Sequence, residues 1–164
     1  MIKELSMKKS ILLAALGAIL FTSCDKNLPD VGGTTPEKLA NEWWVTFTVD
    51  GDDIYGLGHT KLVTYNTAAN NNEIWIDDQE HTWEYKVKAL ADLNNLTFSA
   101  NQATDQYHGI SVNIANGKVL PGAGRSRTGN VSDSIYMEVE FSDDPGTTYV
   151  VSGHGRTRFD EDEY

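Results

Sequence analysis

Serine and histidine side chains that could support nucleophilic hydrolysis lie in the last third of the chain. Ser152 and His154 are two positions apart, and Ser134 is a second possible nucleophile. A serine nucleophile needs a histidine base within hydrogen-bond reach. In an extended strand, residues two apart share a face with Cβ atoms about 7 Å apart, which is too far for a direct bond. The segment also lacks the Gly-x-Ser-x-Gly turn of a nucleophile elbow. Hydrolysis is therefore an alternative, and whether the protein is an enzyme stays open.

Metal binding is a second chemistry that the side chains could supply. The four histidines form no His-x-His or His-x-x-x-His pair, so the sequence has no local zinc signature. Residues 77–81 are the densest group of possible oxygen ligands, but they lack the spacing of a calcium loop and fall where a turn is expected. We predict no metal ion and no cofactor.

Two aromatic residues and two arginines are candidate ligand contacts. Trp83 and Tyr85 begin a predicted strand and could line either a core or a cavity. Arg125 and Arg127 lie in a glycine-rich segment that we predict to be a long loop at the open end of a barrel. Their guanidinium groups could bind a carboxylate or phosphate headgroup there. The alternative is a solvated, mobile loop.

Apolar and polar residues alternate with a period of two over much of the chain, which is typical of β-strands. We therefore expect the candidate residues above to be positioned by strands and the turns between them. Asp50-Gly51 and Asn116-Gly117 predict tight hairpin turns, and Thr35-Pro36 predicts a short helix before the first strand, capped by Thr35. Eight strands without a long helix predict an antiparallel meander that forms a sandwich or an up-and-down barrel. The strong strands are 43–50, 82–89, 110–114 and 135–142, and the weaker ones are 60–67, 73–77, 96–100 and 147–155.

The N-terminal residues predict export and lipid anchoring. Lys8 and Lys9 precede an apolar run over residues 11–21, which is typical of a signal peptide and too short for a transmembrane helix. The residues that follow resemble the lipobox of bacterial lipoproteins, in which the cysteine becomes the lipidated N-terminus, and Cys24 is the only cysteine. We therefore predict a signal peptide over residues 1–23, a lipidated Cys24 with a flexible tether over 24–35, and one β-barrel domain over 36–164.

The charge of the chain argues against nucleic acid as a partner. Without residues 1–23 the chain keeps 10 basic and 23 acidic side chains. Such a surface repels phosphate backbones. The predicted partners are instead a membrane, through Cys24, and a lipid or other hydrophobic small molecule. The oligomeric state stays open.

The start of the first predicted strand resembles that of calycins such as the lipocalins. Asn41-Glu42-Trp43 resembles their Gly-x-Trp motif, with asparagine in place of glycine. In calycins an arginine from the end of the last strand packs over this tryptophan, and Arg156 and Arg158 stand at the corresponding place. Strand parity predicts Trp43 inside the barrel and Trp44 on the opposite face. The resemblance implies that one of the two arginines lies over the Trp43 indole.

More of the chain resembles the Bacteroidetes lipoprotein family described as lipid-binding putative hydrolases. In that family's last strand a glycine stands where this chain has Arg158. The resemblance implies a calycin-like barrel of about eight strands that binds a lipid or other small hydrophobic ligand. It also implies a protein anchored in the bacterial cell envelope, at the outer membrane; the alternatives are a lipid or ester hydrolase and a non-enzymatic surface interaction subunit. The resembling residues are 42–45, 64–68, 133–135 and 149–159.

Overall fold

Eight antiparallel strands close into a barrel in the computed structural model, which describes residues 33–164. The strands follow one another in chain order, each hydrogen-bonded to the next, and the last strand pairs with the first. The predicted all-β meander and its barrel closure are confirmed. The strands are β1 (Asn41–Thr48), β2 (Thr60–Asn66), β3 (Glu73–Asp77), β4 (Lys86–Asp92), β5 (Thr97–Thr104), β6 (Ser111–Arg125), β7 (Val131–Phe141) and β8 (Tyr149–Gly155).

The barrel interior is filled by apolar side chains. Alternate residues of each strand point inward, so that the alternation seen in the sequence becomes one continuous core. Trp43 is 1% exposed and belongs to this core, as its parity predicts. An eight-stranded barrel is just wide enough to be filled by side chains or to hold one small ligand. The large buried side chains here are Trp43, Phe47, Leu62, Ile74, Ile76, Tyr85, Ile114, Ile135, Met137, Phe141 and Tyr149.

The two ends of the barrel are built from different segments, because successive strands run in opposite directions. We call one end the plugged end; it carries residues 33–40, 67–72, 93–96, 126–130 and 156–164. There a short 3-10 helix, Glu37–Leu39, places the fully buried Leu39 against the core. We call the other end the open end; it carries the loops 49–59, 78–85, 105–110 and 142–148.

The predicted short helix before β1 is present, but Thr35 does not cap it. It is a single 3-10 turn, and no side chain caps it. The Thr35 hydroxyl instead donates to the Asn70 carbonyl at 2.7 Å, and the Thr35 amide donates to the Asn70 side chain at 2.8 Å. Thr35 thus links the segment before the barrel to the β2–β3 turn.

Three local predictions about β4 and β6 are wrong. β4 begins at Lys86, so Trp83 and Tyr85 belong to the preceding loop. Asn116-Gly117 does not form a hairpin but an irregularity within β6, where Asn116 has φ of 54°. The same residue types suit both structures, since some β-bulges, like type I′ turns, place a residue at positive φ. Residues 120–125 continue β6, and the turn at 126–130 lies at the plugged end rather than the open end.

Residues 1–32, with the predicted signal peptide, Cys24 and most of the tether, lie outside the described residues. Within residues 33–164 no helix is long and apolar enough to span a membrane.

Candidate functional site: an aromatic cavity at the open end

A small apolar cavity of about 220 Å³ lies at the open end of the barrel. Phe47, near the end of β1, forms part of its wall, and the β1–β2 loop contributes Tyr55 and Leu57. Thr82 and Trp83 come from the β3–β4 loop. Tyr55 is 50% exposed, so the cavity is accessible to a molecule from solvent.

Contacts with buried aromatic rings hold the three rings that line this cavity, those of Phe47, Tyr55 and Trp83. The Trp83 indole stacks on Phe141, with ring centroids 5.0 Å apart and planes 13° apart. Phe47 stacks on Tyr149 at 4.6 Å and 17°. The Tyr55 ring lies 6.0 Å from Trp83 and 6.4 Å from Tyr149. Such pairs are stabilising beyond their buried area, so the rings form a fixed wall.

Carboxylates accept hydrogen bonds from the polar edges of these rings. The Trp83 indole N–H donates to both oxygens of Asp143, at 3.3 and 3.4 Å. The Tyr149 hydroxyl donates to Asp144 at 2.6 Å and lies 3.1 Å from the Tyr55 hydroxyl. Burial, together with the hydrogen bond to Asp144, raises the pKa of Tyr149 well above its ordinary value. The phenol is therefore neutral at physiological pH.

Two further carboxylates shape the loops that carry the cavity walls. Asp53 accepts hydrogen bonds from the backbone N–H groups of Leu57 and Gly58, which lower the pKa of its carboxyl. In the predicted turn at residues 77–81, Asp78 accepts backbone N–H bonds from residues 80, 82, 84 and 85. Its carboxylate thus orders the loop that presents Trp83. Across residues 33–164 no group of three or more potential ligands is arranged to hold a metal ion.

Only one of the four predicted ligand contacts, Trp83, lines the cavity. Tyr85 lies beneath it in the core, 1% exposed, with its ring edge on Phe141 at 5.3 Å. The two arginines lie at the plugged end. Arg125 donates to the carbonyl oxygens of Gly122 and Gly124, and Arg127 donates to the backbone oxygen of Glu163 at 2.7 Å. Neither guanidinium therefore reaches the cavity, because the segment that carries them belongs to the β6–β7 hairpin.

The β7–β8 register places Ser134 opposite His154, but no side-chain hydrogen bond links the histidine to either possible nucleophile. The Ser134 hydroxyl donates to the Gly153 carbonyl at 3.0 Å. The His154 ring, 7% exposed, has its contacts with the Gly155 carbonyl and, at 3.4 Å, with the Tyr164 hydroxyl. Among the described residues, neither Ser134 nor Ser152 forms a side-chain hydrogen bond with His154. A catalytic role for these residues stays a prediction, without a hydrogen bond between nucleophile and base to support it.

The arginine predicted over Trp43 lies over the neighbouring tryptophan instead. The Arg156 guanidinium is 6.0 Å from the centre of the Trp44 ring. Trp44 faces outward, as parity predicts, but is only 5% exposed because Tyr164 and Lys61 also pack on it. β8 leaves the barrel on its outer side, where only the outward indole is within reach. The Trp43 N–H donates to the Thr64 hydroxyl at 2.9 Å inside the barrel.

Arg158 occupies a position with a backbone constraint. Its φ of 65° lies in the left-handed region that glycine adopts without steric cost. A glycine at this place, as in the resembling family, is explained by this positive φ rather than by close packing of the backbone. The side chain is exposed and contacts Glu42 at 3.4 Å.

A larger groove, of about 710 Å³, lies on the outer wall of the barrel across β4 to β7. Its lining is mostly polar, with Asn116, Lys118 and Glu138 among its side chains. The open-end cavity is smaller but apolar and bordered by fixed rings. We therefore take the open-end cavity as the candidate site.

Several residues of the candidate site are absent from the predicted contacts. Tyr55 and Leu57 lie in a loop without strand periodicity, and Asp143 and Asp144 look like ordinary turn residues. One signal was available in the sequence: alternate loops of a meander lie at one end, so aromatic and acidic residues in the first and seventh loops become neighbours if the sheet closes into a barrel.

Comparison with protein families matches residues 28–160 to the family described as "Lipid-binding putative hydrolase". Comparison with curated proteins gave no match. The matched segment includes all eight strands and every residue of the open-end cavity. The chain therefore belongs to the lipid-binding putative hydrolase family.

Proposed function

We propose that the protein binds the apolar part of a lipid or another small hydrophobic molecule in the open-end cavity. The observation that carries this proposal is an accessible cavity walled by Phe47, Tyr55, Leu57 and Trp83 at the end of a filled barrel. Apolar ligands gain about 0.8 kcal/mol for each methylene removed from water. The barrel-shaped fold and the lipid-binding family support the same role.

The size of the cavity limits how much of a ligand it can take. Pockets that enclose a drug-sized ligand span about 300–1,000 Å³, whereas this one has about 220 Å³. The core below is packed with Tyr85 and Phe141, so a chain cannot extend down the barrel axis. The bound part is therefore one end of an amphiphile, and the rest stays outside the barrel.

Fluorescence titration with the neutral probe N-phenyl-1-naphthylamine tests this proposal. We expect saturable binding that the Trp83→Ser variant loses and that the matched Trp75→Ser variant keeps. Trp75 is a partly buried tryptophan on β3, beneath Lys86 and Lys88 on the outer wall. Equal binding by wild type and Trp83→Ser, or loss only in Trp75→Ser, would contradict the assignment of the site. Native mass spectrometry of protein purified from its own membranes should also show a co-purifying small molecule.

We also propose that the protein is a lipoprotein anchored in the bacterial outer membrane through Cys24. The support is the sequence alone: Lys8 and Lys9, the apolar run over residues 11–21, and a single cysteine that follows this run after two small residues. The resemblance to Bacteroidetes lipoproteins agrees with it. Labelling with a radioactive fatty acid should mark the wild type and not Cys24→Ala, and the variant should leave the membrane fraction. Label retained on Cys24→Ala would exclude this anchor.

A further inference from the structure

The open end of the barrel carries a strong and one-sided charge. Its four loops, 49–59, 78–85, 105–110 and 142–148, contain nine aspartates and glutamates and no lysine or arginine. Asp53, Asp143 and Asp144 border the aromatic cavity, and none of them takes part in the salt bridges found within residues 33–164. A cleft lined by one sign of charge attracts ligands of the opposite sign and repels those of the same sign.

The aromatic rings of the cavity suit a cationic group for a separate reason. The face of an indole or phenol ring carries partial negative charge and attracts ammonium groups within about 6 Å. Tyr55 and Trp83 present two such rings to the cavity, with centroids 6.0 Å apart, and the fully buried Tyr149 ring packs against both. The N–H of Trp83 and the O–H of Tyr149 donate to carboxylates, which place negative charge at the polar edges of the rings.

From these two observations we propose that the open-end cavity recognises an amphiphile by a cationic headgroup, an amine or a quaternary ammonium. The inference rests on the proposed function, since it concerns the same cavity, and it adds the headgroup that the ligand presents. The ammonium group lies against the Tyr55 and Trp83 rings, close to Asp143 and Asp144. Lipids whose only charge is a phosphate or carboxylate are excluded by the nine acidic side chains of the surrounding loops.

Three amphiphiles with one alkyl chain and different headgroups test the charge preference. Octyltrimethylammonium, octyl glucoside and octyl sulfate are titrated below their micelle concentrations, with displacement of N-phenyl-1-naphthylamine as the readout. We expect octyltrimethylammonium to bind about tenfold more tightly than octyl glucoside, and octyl sulfate to bind most weakly. Raising the salt concentration should reduce this preference, because the border of the cavity is exposed.

The outcomes separate the charge preference from the proposed function. Equal binding of all three amphiphiles, lost in Trp83→Ser, would overturn the cationic headgroup and leave hydrophobic binding intact. No displacement by any of them would contradict both. Tetramethylammonium, which has no alkyl chain, should bind at least tenfold more weakly than octyltrimethylammonium. Equal affinities would mean that the site takes a free cation and that the lipid proposal fails.

A double variant tests the carboxylates without removing their hydrogen-bond acceptors. Asp143→Asn with Asp144→Asn keeps an acceptor oxygen for Trp83 and Tyr149 but removes two charges. We expect about a tenfold loss of affinity for octyltrimethylammonium and less than a twofold change for octyl glucoside. The matched control, Asp160→Asn with Glu161→Gln, removes two exposed charges at the plugged end and should change neither affinity. An unchanged affinity in the first variant, with its fold verified by circular dichroism, would overturn the proposal.

Discussion

The two ends of the barrel use the same residue types for different purposes. At the plugged end, charges of both signs are paired: Arg156 contacts Glu42 at 2.7 Å and donates two bonds to Glu163 at 2.7 and 2.8 Å. At the open end, acidic side chains stand without a lysine or arginine in the same four loops. Aromatic residues differ likewise, since Trp43 is enclosed in the core whereas Tyr55 is half exposed.

We infer from this difference that residues at the plugged end mainly stabilise the fold and that residues at the open end mainly bind the ligand. Paired charges and buried rings lower the free energy of the folded state. An excess of like charges raises it through repulsion, and such a feature is typical of a surface that attracts a ligand of opposite charge. Substitutions at the plugged end should therefore change stability and spare binding, and substitutions at the open end should do the reverse.

The largest effect should follow the loss of Trp43. Trp43→Ala removes a fully buried ring and should lower the free energy of unfolding by about 3–5 kcal/mol, measured by urea unfolding. Trp83→Ala should cost clearly less because Trp83 is only partly buried, yet it should abolish binding of N-phenyl-1-naphthylamine. Trp44→Ala should fall between the two, since Tyr164 and Arg156 cover its outward ring. Equal losses in all three variants would remove the distinction between the ends.

A second variant tests the buried hydrogen bonds at the plugged end. The Thr64 hydroxyl accepts from the Trp43 indole N–H and the Asn41 amide and donates to the Leu39 carbonyl. Thr64→Val keeps the shape but leaves these buried groups unpaired, which should cost about 2 kcal/mol. Thr46→Val is the control, because the Thr46 hydroxyl makes a single long bond, 3.3 Å, on the outer face. A loss of unfolding free energy in Thr64→Val no larger than in the control would show that the stability of the plugged end does not depend on this hydroxyl.

Two tyrosines at the open end should respond oppositely to loss of their hydroxyl groups. Tyr149→Phe removes the bond to Asp144 and the contact with Tyr55, and should cost about 1 kcal/mol. The Tyr85 hydroxyl is buried and has no hydrogen-bond partner among the described residues. Tyr85→Phe should therefore be neutral or slightly stabilising in thermal unfolding. A destabilised Tyr85→Phe would show that its hydroxyl does have a partner.

The smallest effect should depend on pH. Arg156 lowers the pKa of Glu42 and of Glu163 below their ordinary value of 4.5. Carboxyls with a lowered pKa in the folded state stabilise it above pH 4.5, and this contribution is lost as the pH falls through the lowered values. Urea unfolding should show Arg156→Gln less stable than the wild type at pH 7, with a smaller difference at pH 3. A difference that stays constant with pH would exclude the ion pairs as its cause.

Local periodicity is enough to predict most of the barrel wall. Alternation in residues 43–49 and 135–141 identifies β1, β7 and their inward faces, because side-chain direction in a strand follows parity. It also places Trp43 inside. The same rule fails at Trp83 and Tyr85, which alternate like a strand but precede β4. There Asp78 binds the backbone N–H groups and prevents their pairing with a neighbouring strand.

The amino-acid sequence by itself determined the strand order, the apolar face of the strands with strong alternation and the excess of acidic side chains. Only the tertiary structure decided that Asn116-Gly117 is a bulge, that Arg156 covers Trp44, and that Tyr55 meets Trp83. The physical reason is distance along the chain. Parity and turn propensity act over a few residues, whereas barrel closure joins β1 to β8 across more than 100 residues and thereby decides which loops of one end lie close together.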